Sequence, residues 1–75
     1  MQDDDIRQRI LAVYPDAEIV INGSDCSFKL SVVSQSFAGM TSLLRQRSIM
    51  KLFKTELDDG TWHAITIQTR TPAEQ

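Results

Sequence analysis

Two side chains in this 75-residue sequence carry most of its reactive chemistry: the single cysteine, Cys26, and the single histidine, His63. A thiolate and a neutral imidazole are both effective metal ligands. One cysteine excludes an intrachain disulfide, and one cysteine with one histidine excludes a self-contained site of the Cys₄ or Cys₂His₂ kind. The chemistry open to this pair is therefore half of a metal site, completed by ligands from elsewhere.

Composition and charge restrict the class of protein further. A hydrophobic content of 41% with 24% charged residues is typical of a globular domain, and we expect one domain over residues 1–75. A formal net charge of -2 means that the molecule as a whole does not attract the phosphate backbones of nucleic acids. The sequence begins MQDDD, which is acidic where a secretion signal is basic and then apolar, so we expect a cytoplasmic protein without a membrane span.

Hydrophobic periodicity predicts the elements that must position Cys26 and His63. Apolar residues at helical spacing predict a helix from Asp3 to Tyr14. Alternating residues predict two strands within 18–34, joined near Cys26 as an antiparallel hairpin. A third strand is predicted from Trp62 to Thr69. Trp62 is expected to pack at the sheet edge near His63, where a core role is favoured over shielding a ligand site from water.

The segment between the second and third strands is helical but interrupted. Helical spacing begins at Met40, breaks across residues 45–48 and resumes over residues 49–57. Two short helices joined by a tight turn are the favoured interpretation, with a single bent helix as the alternative. Met50 and Phe53 are expected in the core between helix and sheet.

These elements predict an α+β fold, with helices on one face of a three-stranded sheet in the order α-β-β-α-α-β. The helical pair is long enough to cross the sheet, so the third strand is expected to run parallel to the second. Parallel strands begin at the same edge, so Cys26 and His63 are expected at one end of the sheet, with the strand starts roughly 5 Å apart if the strands are neighbours, or about twice that with one strand between them. The competing interpretation is a packed structural histidine and an inert loop cysteine.

Five segments resemble the BolA-like proteins in their order and spacing: Gly23–Phe28, Val32–Ser34 with Phe37–Gly39, Arg45–Arg47, His63–Ile65 and Thr71–Glu74. The Arg-His-Arg element of many members reads Arg45-Gln46-Arg47 here, which is closer to the bacterial YrbA-type subgroup. Gln75 stands where the family usually has tryptophan. Thr71–Glu74 is also a capping box with proline at the first helical position.

The resemblance implies a fold similar to type II KH domains and a partnership with monothiol glutaredoxins around a shared two-iron two-sulfur cluster. In the family the histidine of the third strand is a cluster ligand, and it matches His63. Some members use a second Cys or His just before the position of Phe28; that position is Ser27 here, so Cys26 is assigned by displacement. The cluster would be absent from the isolated chain, which is expected to be a monomer or a weak homodimer.

The sequence has features of two other classes of function. Arg47, Lys51 and Lys54, with Arg45 nearby, form a basic helix face that suits an acidic partner or, in a stress-linked transcription regulator, DNA or RNA. The Gly-x-x-Gly loop that KH domains use on phosphates is missing, and an acidic protein partner is favoured.

An enzyme is the third class. No catalytic triad is expected, unless Cys26 and His63 form one with Asp25, and a chain of this length offers little room for a pocket. We therefore expect a non-enzymatic protein.

Overall fold

The chain is described by a computed structural model over residues 3–24, 27–60, 62 and 64–74. The helices are α1 (Asp3–Val13), α2 (Ser42–Leu52) and α3 (Lys54–Asp58), and the strands are β1 (Glu18–Ser24), β2 (Ser27–Val33) and β3 (Ala64–Arg70). One-turn 3₁₀ helices cover Gln35–Phe37 and Pro72–Glu74. This order of helices and strands confirms the predicted α-β-β-α-α-β fold. None of the helices in these ranges is long and apolar enough to cross a membrane.

The three strands form one sheet in the order β1-β2-β3. β1 and β2 pair antiparallel, and Ser24 opposite Ser27 is the last pair before the turn. β2 and β3 pair in parallel, as the length of the helical crossover predicted. β2 and β3 are therefore direct neighbours, which selects the shorter of the two spacings predicted for the starts of these strands.

One face of the sheet is covered and the other is open. On β2, side chains of one parity are buried, and they pack with α1 in a single core that includes Ile6, Ile10, Phe28, Leu30 and Val32. The opposite parity carries exposed or partly exposed side chains such as Lys29 and Ser31. This alternation is the two-residue period of a strand with one solvated face.

The interruption in the middle helical segment lies later than predicted. α2 runs through residues 45–48 without a break, and the helix is interrupted at Phe53, whose N–H donates to Met50 O over 3.1 Å. The polar residues at 45–48 do not end the helix, because polar side chains among them form hydrogen bonds with other elements. Ser48 bonds the Tyr14 hydroxyl, and Gln46 Nε2 donates to Ile67 O at 2.6 Å. In this part of α2, side-chain hydrogen bonds to neighbouring elements take the place of apolar contacts.

Two smaller expectations have opposite outcomes. Phe53 is fully buried as expected, whereas Met50, also expected in the core, is 41% exposed. Phe53 continues the buried stripe that Arg45 and Ile49 form at four-residue spacing, whereas Met50 is one residue off that stripe and faces outward. Of the predicted capping box, the bond from the Thr71 N–H to Glu74 Oε1 forms at 2.8 Å, while the Glu74 N–H donates to the Thr71 carbonyl at 3.0 Å, and the helix it opens is a single 3₁₀ turn.

Candidate functional site

The predicted ligand pair adjoins one edge of the sheet. Cys26 and His63 themselves lie outside the described residues. The residues that follow them in the chain, Ser27 and Ala64, are the first register pair between β2 and β3. Neighbouring strands lie about 5 Å apart, so the two segments that carry the thiol and the imidazole reach β2 and β3 side by side. We call this pair of positions, Ser27 and Ala64, the strand-start edge.

Trp62, one residue before His63, is held firmly beside this edge. Its side chain is buried, with 4% exposed, as the sequence predicted for a core residue. The indole stacks on Phe53 with centroids 4.4 Å apart and meets Phe28 edge-on at 4.9 Å. The backbone N–H of Trp62 donates to Glu56 O at 3.1 Å. Aromatic contacts on two sides and one backbone bond therefore fix the chain just before β3.

The same aromatic group continues to the surface of α1. The Arg9 guanidinium lies 5.4 Å from the centroid of Phe53 and donates to Glu56 Oε1 at 2.8 Å. This hydrogen bond from Arg9 lowers the pKa of the Glu56 carboxyl. The pairing of Arg9 with Glu56 was not predicted from the sequence, because 47 residues separate them along the chain.

The proposed basic face divides into two parts in the structure. Arg45 is buried, with 9% exposed, and both terminal nitrogens bond the Glu74 carboxylate at 2.7 and 3.2 Å. Arg45 Nε also donates to Met40 O at 3.0 Å, and the guanidinium lies 5.9 Å from the Phe37 ring centroid. These contacts leave Arg45 off the solvent-facing surface and give it a role in holding the segment after β3.

The other three cations remain exposed on α2 and α3. Lys54 pairs with Asp58 one turn later, which raises the pKa of the Lys54 ammonium. Arg47 and Lys51 are exposed, and neither forms an ion pair within the part of the chain that the structure describes. Helical spacing predicted this face, but it could not separate the buried arginine from the exposed cations.

A metal site at the strand-start edge would depend on Cys26 and His63, which lie outside the described residues, so the chemistry of these two donors and the strands they precede decide whether a metal fits. The described residues contain no cluster of three or more acidic, histidine or cysteine side chains that could hold an ion. One thiol and one imidazole on neighbouring segments suit a cluster that takes its remaining ligands from a second protein. The pairing of Ser27 with Ala64 is compatible with that arrangement.

The fold and the paired strand starts define a small α+β domain of a known class. A family model described as "BolA-like protein" matches residues 10–74. The chain belongs to the BolA-like family.

Curated relatives agree with this membership. BolA-like protein 1 of Mus musculus is 42% identical over 52 residues, covering 69% of this chain and 37% of that protein. The chain thus spans little more than a third of this relative. The acid stress protein IbaG of Escherichia coli is 24% identical over 74 residues, covering 99% of this chain and 88% of that one. The latter match agrees with the predicted bacterial subgroup.

Solved structures agree in fold over almost the whole chain. BolA1 from Arabidopsis thaliana superposes with a TM-score of 0.85 at 26% identity, covering 100% of this chain and 99% of that one. The BolA domain of SufE1 from the same plant gives 0.81 at 26% identity, with the same coverage. Yeast Fra2 gives 0.71 at 30% identity, covering 99% of this chain and 83% of that one.

Proposed function

We propose that this protein is a non-enzymatic adaptor that binds a monothiol glutaredoxin and supplies His63, with Cys26, to a shared two-iron two-sulfur cluster in cluster trafficking or in sensing of iron and redox state. When bound, such a cluster offers iron atoms that accept thiolate and imidazole ligands from two proteins at once. This chain would bring one or two of those ligands, and its partner the others.

The observation that carries the proposal is the register of β2 and β3. Ser27 and Ala64 are partners in the parallel ladder, and each directly follows one of the two candidate ligands. Rigid strands on a packed core are a good support for ligand positions, because metal sites lose affinity when their geometry is loose. Trp62, fixed by Phe28 and Phe53, anchors the chain immediately before His63.

The similarity to solved BolA structures supports a general role in binding other proteins. The name of the SufE1 neighbour states that a BolA domain occurs as one part of another protein. A domain that is used as a module within a larger protein fits an adaptor better than a self-sufficient catalyst. Within the described ranges, the exposed cations Arg47 and Lys51 also leave charge available for a second protein.

The test is to mix the protein anaerobically with a cluster-loaded monothiol glutaredoxin and to record visible circular dichroism. The wild-type mixture is expected to give a spectrum that differs from that of the loaded glutaredoxin alone. His63→Ala is expected to remove this new spectrum, and Cys26→Ser to alter it if the thiolate is a ligand. Lys29→Ala, an exposed change on the open sheet face, is the matched control and is expected to behave as wild type.

Each outcome has a defined meaning once far-ultraviolet spectra show that all variants are folded. No change on mixing wild type with the loaded glutaredoxin would overturn the shared cluster. A new spectrum that persists in His63→Ala would remove His63 as a ligand. A Cys26→Ser mixture identical to wild type would leave His63 as the sole ligand from this chain.

A further inference from the structure

A second surface, separate from the strand-start edge, lies along the outer side of α2. Arg47 and Lys51 stand one helical turn apart there, and we call this pair the α2 ridge. Other cations nearby already have acidic partners: Arg9 with Glu56, Arg45 with Glu74 and Lys54 with Asp58. In the ranges that the structure describes, the two cations of the ridge have no such partner.

Exposed apolar side chains flank the ridge on both sides. The groove between α1 and α2 is lined by Val13, Met40, Leu44 and Leu52, and it also includes both ridge cations. A second groove runs along the other side and contains Met50 and Leu57 together with the same two cations. Val13 and Leu44 are each 50% exposed and Met50 is 41% exposed. An apolar patch rimmed by charge is typical of a protein interaction site.

We propose that the α2 ridge and the groove between α1 and α2 dock an amphipathic helix of a partner protein, one that carries carboxylates beside its apolar stripe. The helix would lay its apolar side chains against Leu44 and Val13 and pair its carboxylates with Arg47 and Lys51. Recognition of this kind combines burial of an apolar stripe in a groove with charge complementarity that fixes orientation. It requires no ligand from Cys26 or His63, and it therefore goes beyond the shared cluster.

The composition of the surface favours an acidic helix over a nucleic acid. A nucleic acid is held mainly by several cations on its phosphates and by aromatic rings that stack on bases. Here, within residues 3–24, 27–60, 62 and 64–74, the two ridge cations have no ion-pair partner and stand among aliphatic side chains, and no aromatic residue of those ranges lines either groove. The single residue between α2 and α3, Phe53, leaves no glycine-rich loop for a phosphate. The net charge of -2 opposes polyanion binding as well.

The experiment uses synthetic peptides as probes of the surface. An 18-residue helical peptide with leucines along one stripe and glutamates beside it is titrated into isotope-labelled protein, and amide shifts are followed by NMR. Saturable shifts are expected at residues 43–52 and at Val13. A peptide of the same composition in scrambled order, and single-stranded DNA of 20 nucleotides, are titrated alongside.

Charge reversal with a matched control tests the contribution of the ridge. Arg47→Glu with Lys51→Glu is expected to weaken binding of the leucine and glutamate peptide at least about tenfold, because like charges then face each other. Lys29→Glu with Arg70→Glu makes the same change in net charge on the open sheet face and is expected to leave affinity unchanged. A peptide with lysines in place of glutamates is expected to bind the Arg47→Glu, Lys51→Glu protein, which restores complementarity.

Several results would overturn the proposal. These are absence of saturable shifts with the ordered peptide, equal binding of the scrambled peptide, or equal loss of affinity in the control pair. Tighter and salt-sensitive binding of the DNA at the same residues would assign the surface to nucleic acid instead. Concentration-dependent shifts of α2 without any peptide would assign it to a second copy of this chain. A negative cluster experiment with glutaredoxin would change none of these outcomes.

Discussion

The two ends of β3 are held to the rest of the molecule by different forces. Before the strand, the Trp62 side chain packs between the aromatic rings of Phe28 and Phe53. After the strand, Thr71 and Glu74 form a hydrogen-bonded turn whose carboxylate is bound by Arg45. The first end adjoins the candidate ligand His63, and the second has no predicted ligand nearby.

This difference has a physical consequence for the candidate site. Apolar contacts are insensitive to pH and change little with salt, whereas ion pairs and charge-assisted hydrogen bonds weaken when a partner is protonated or screened. The end of β3 that adjoins the proposed metal ligand is therefore anchored mainly by apolar packing, with the Arg9–Glu56 ion pair on its outer side, whereas the other end is anchored directly by ionised groups. The polar end is expected to respond to conditions first.

The largest effect is expected from Trp62→Ala. Removing this buried indole leaves a cavity between Phe28 and Phe53 and should lower the free energy of unfolding by about 3–5 kcal/mol. Urea unfolding followed by far-ultraviolet circular dichroism measures the loss. Trp62→Phe, which keeps an aromatic ring, is the companion variant and should lose less; equal stability of Trp62→Ala and wild type would show that the aromatic packing does not hold this end.

A smaller loss is expected from Arg45→Met at the other end of β3. Methionine keeps part of the apolar volume of the buried arginine side chain but cannot form its three hydrogen bonds, two to Glu74 and one to Met40 O. The midpoint of urea unfolding should fall, by less than in Trp62→Ala. Arg47→Met, an exposed arginine on the same helix, is the control and should match wild type. A variant at position 45 that is as stable as its control would contradict the role given to Arg45.

The polar end should also make stability depend on pH in acid, through the Glu74 carboxyl. The Arg45 guanidinium, followed by the Thr71 N–H, lowers the pKa of Glu74 from 4.5 to about 2. The unfolded chain therefore binds more protons in that interval, so the stabilisation is complete above about pH 4.5 and is lost as pH falls towards 2. Unfolding midpoints measured across this range test it.

Glu74→Gln is expected to flatten that slope without abolishing it, since the carboxyls of Asp16 and Glu56 also have lowered pKa values. Ser34 and the Gln35 N–H lower the pKa of Asp16, and Arg9 lowers that of Glu56. An identical slope in Glu74→Gln and wild type would exclude Glu74 as a source of the acid sensitivity.

The smallest effect is expected from Lys54→Ala. Its ion pair with Asp58 is formed by side chains that are 76% and 63% exposed, and exposed pairs of this kind contribute little to stability. The urea midpoint should be unchanged within experimental error in both low and high salt. A clear loss at low salt would mean that this surface pair, unlike most, is held in a fixed geometry.

The arrangement of the strands followed from the sequence with few assumptions. Alternation marked β1 and β2, and the length of the segment before β3 required a crossover and hence a parallel pair. That inference is topological and depends on no side-chain contact. The pairing of Ser27 with Ala64, on which the candidate ligand edge depends, is a direct product of it.

What the sequence could not provide were contacts between distant polar residues. Arg45 appeared as part of a basic face because its spacing from Arg47 and Lys51 does not reveal that Glu74 lies opposite it. The helix break was placed at residues 45–48 because these are polar, whereas Ser48 bonds Tyr14 and stays inside the helix. In both cases a tertiary hydrogen bond overrides a local pattern.

The position of Trp62 also gives the protein an optical property. It is the only tryptophan in the sequence, and 4% of it is exposed. The near-ultraviolet emission of the protein therefore originates almost entirely from one apolar location, one residue along the chain from His63. A coloured group bound at that edge would absorb at the wavelengths at which the indole emits and quench it. Occupancy of the edge can thus be followed by light from the unmodified protein, with no attached dye.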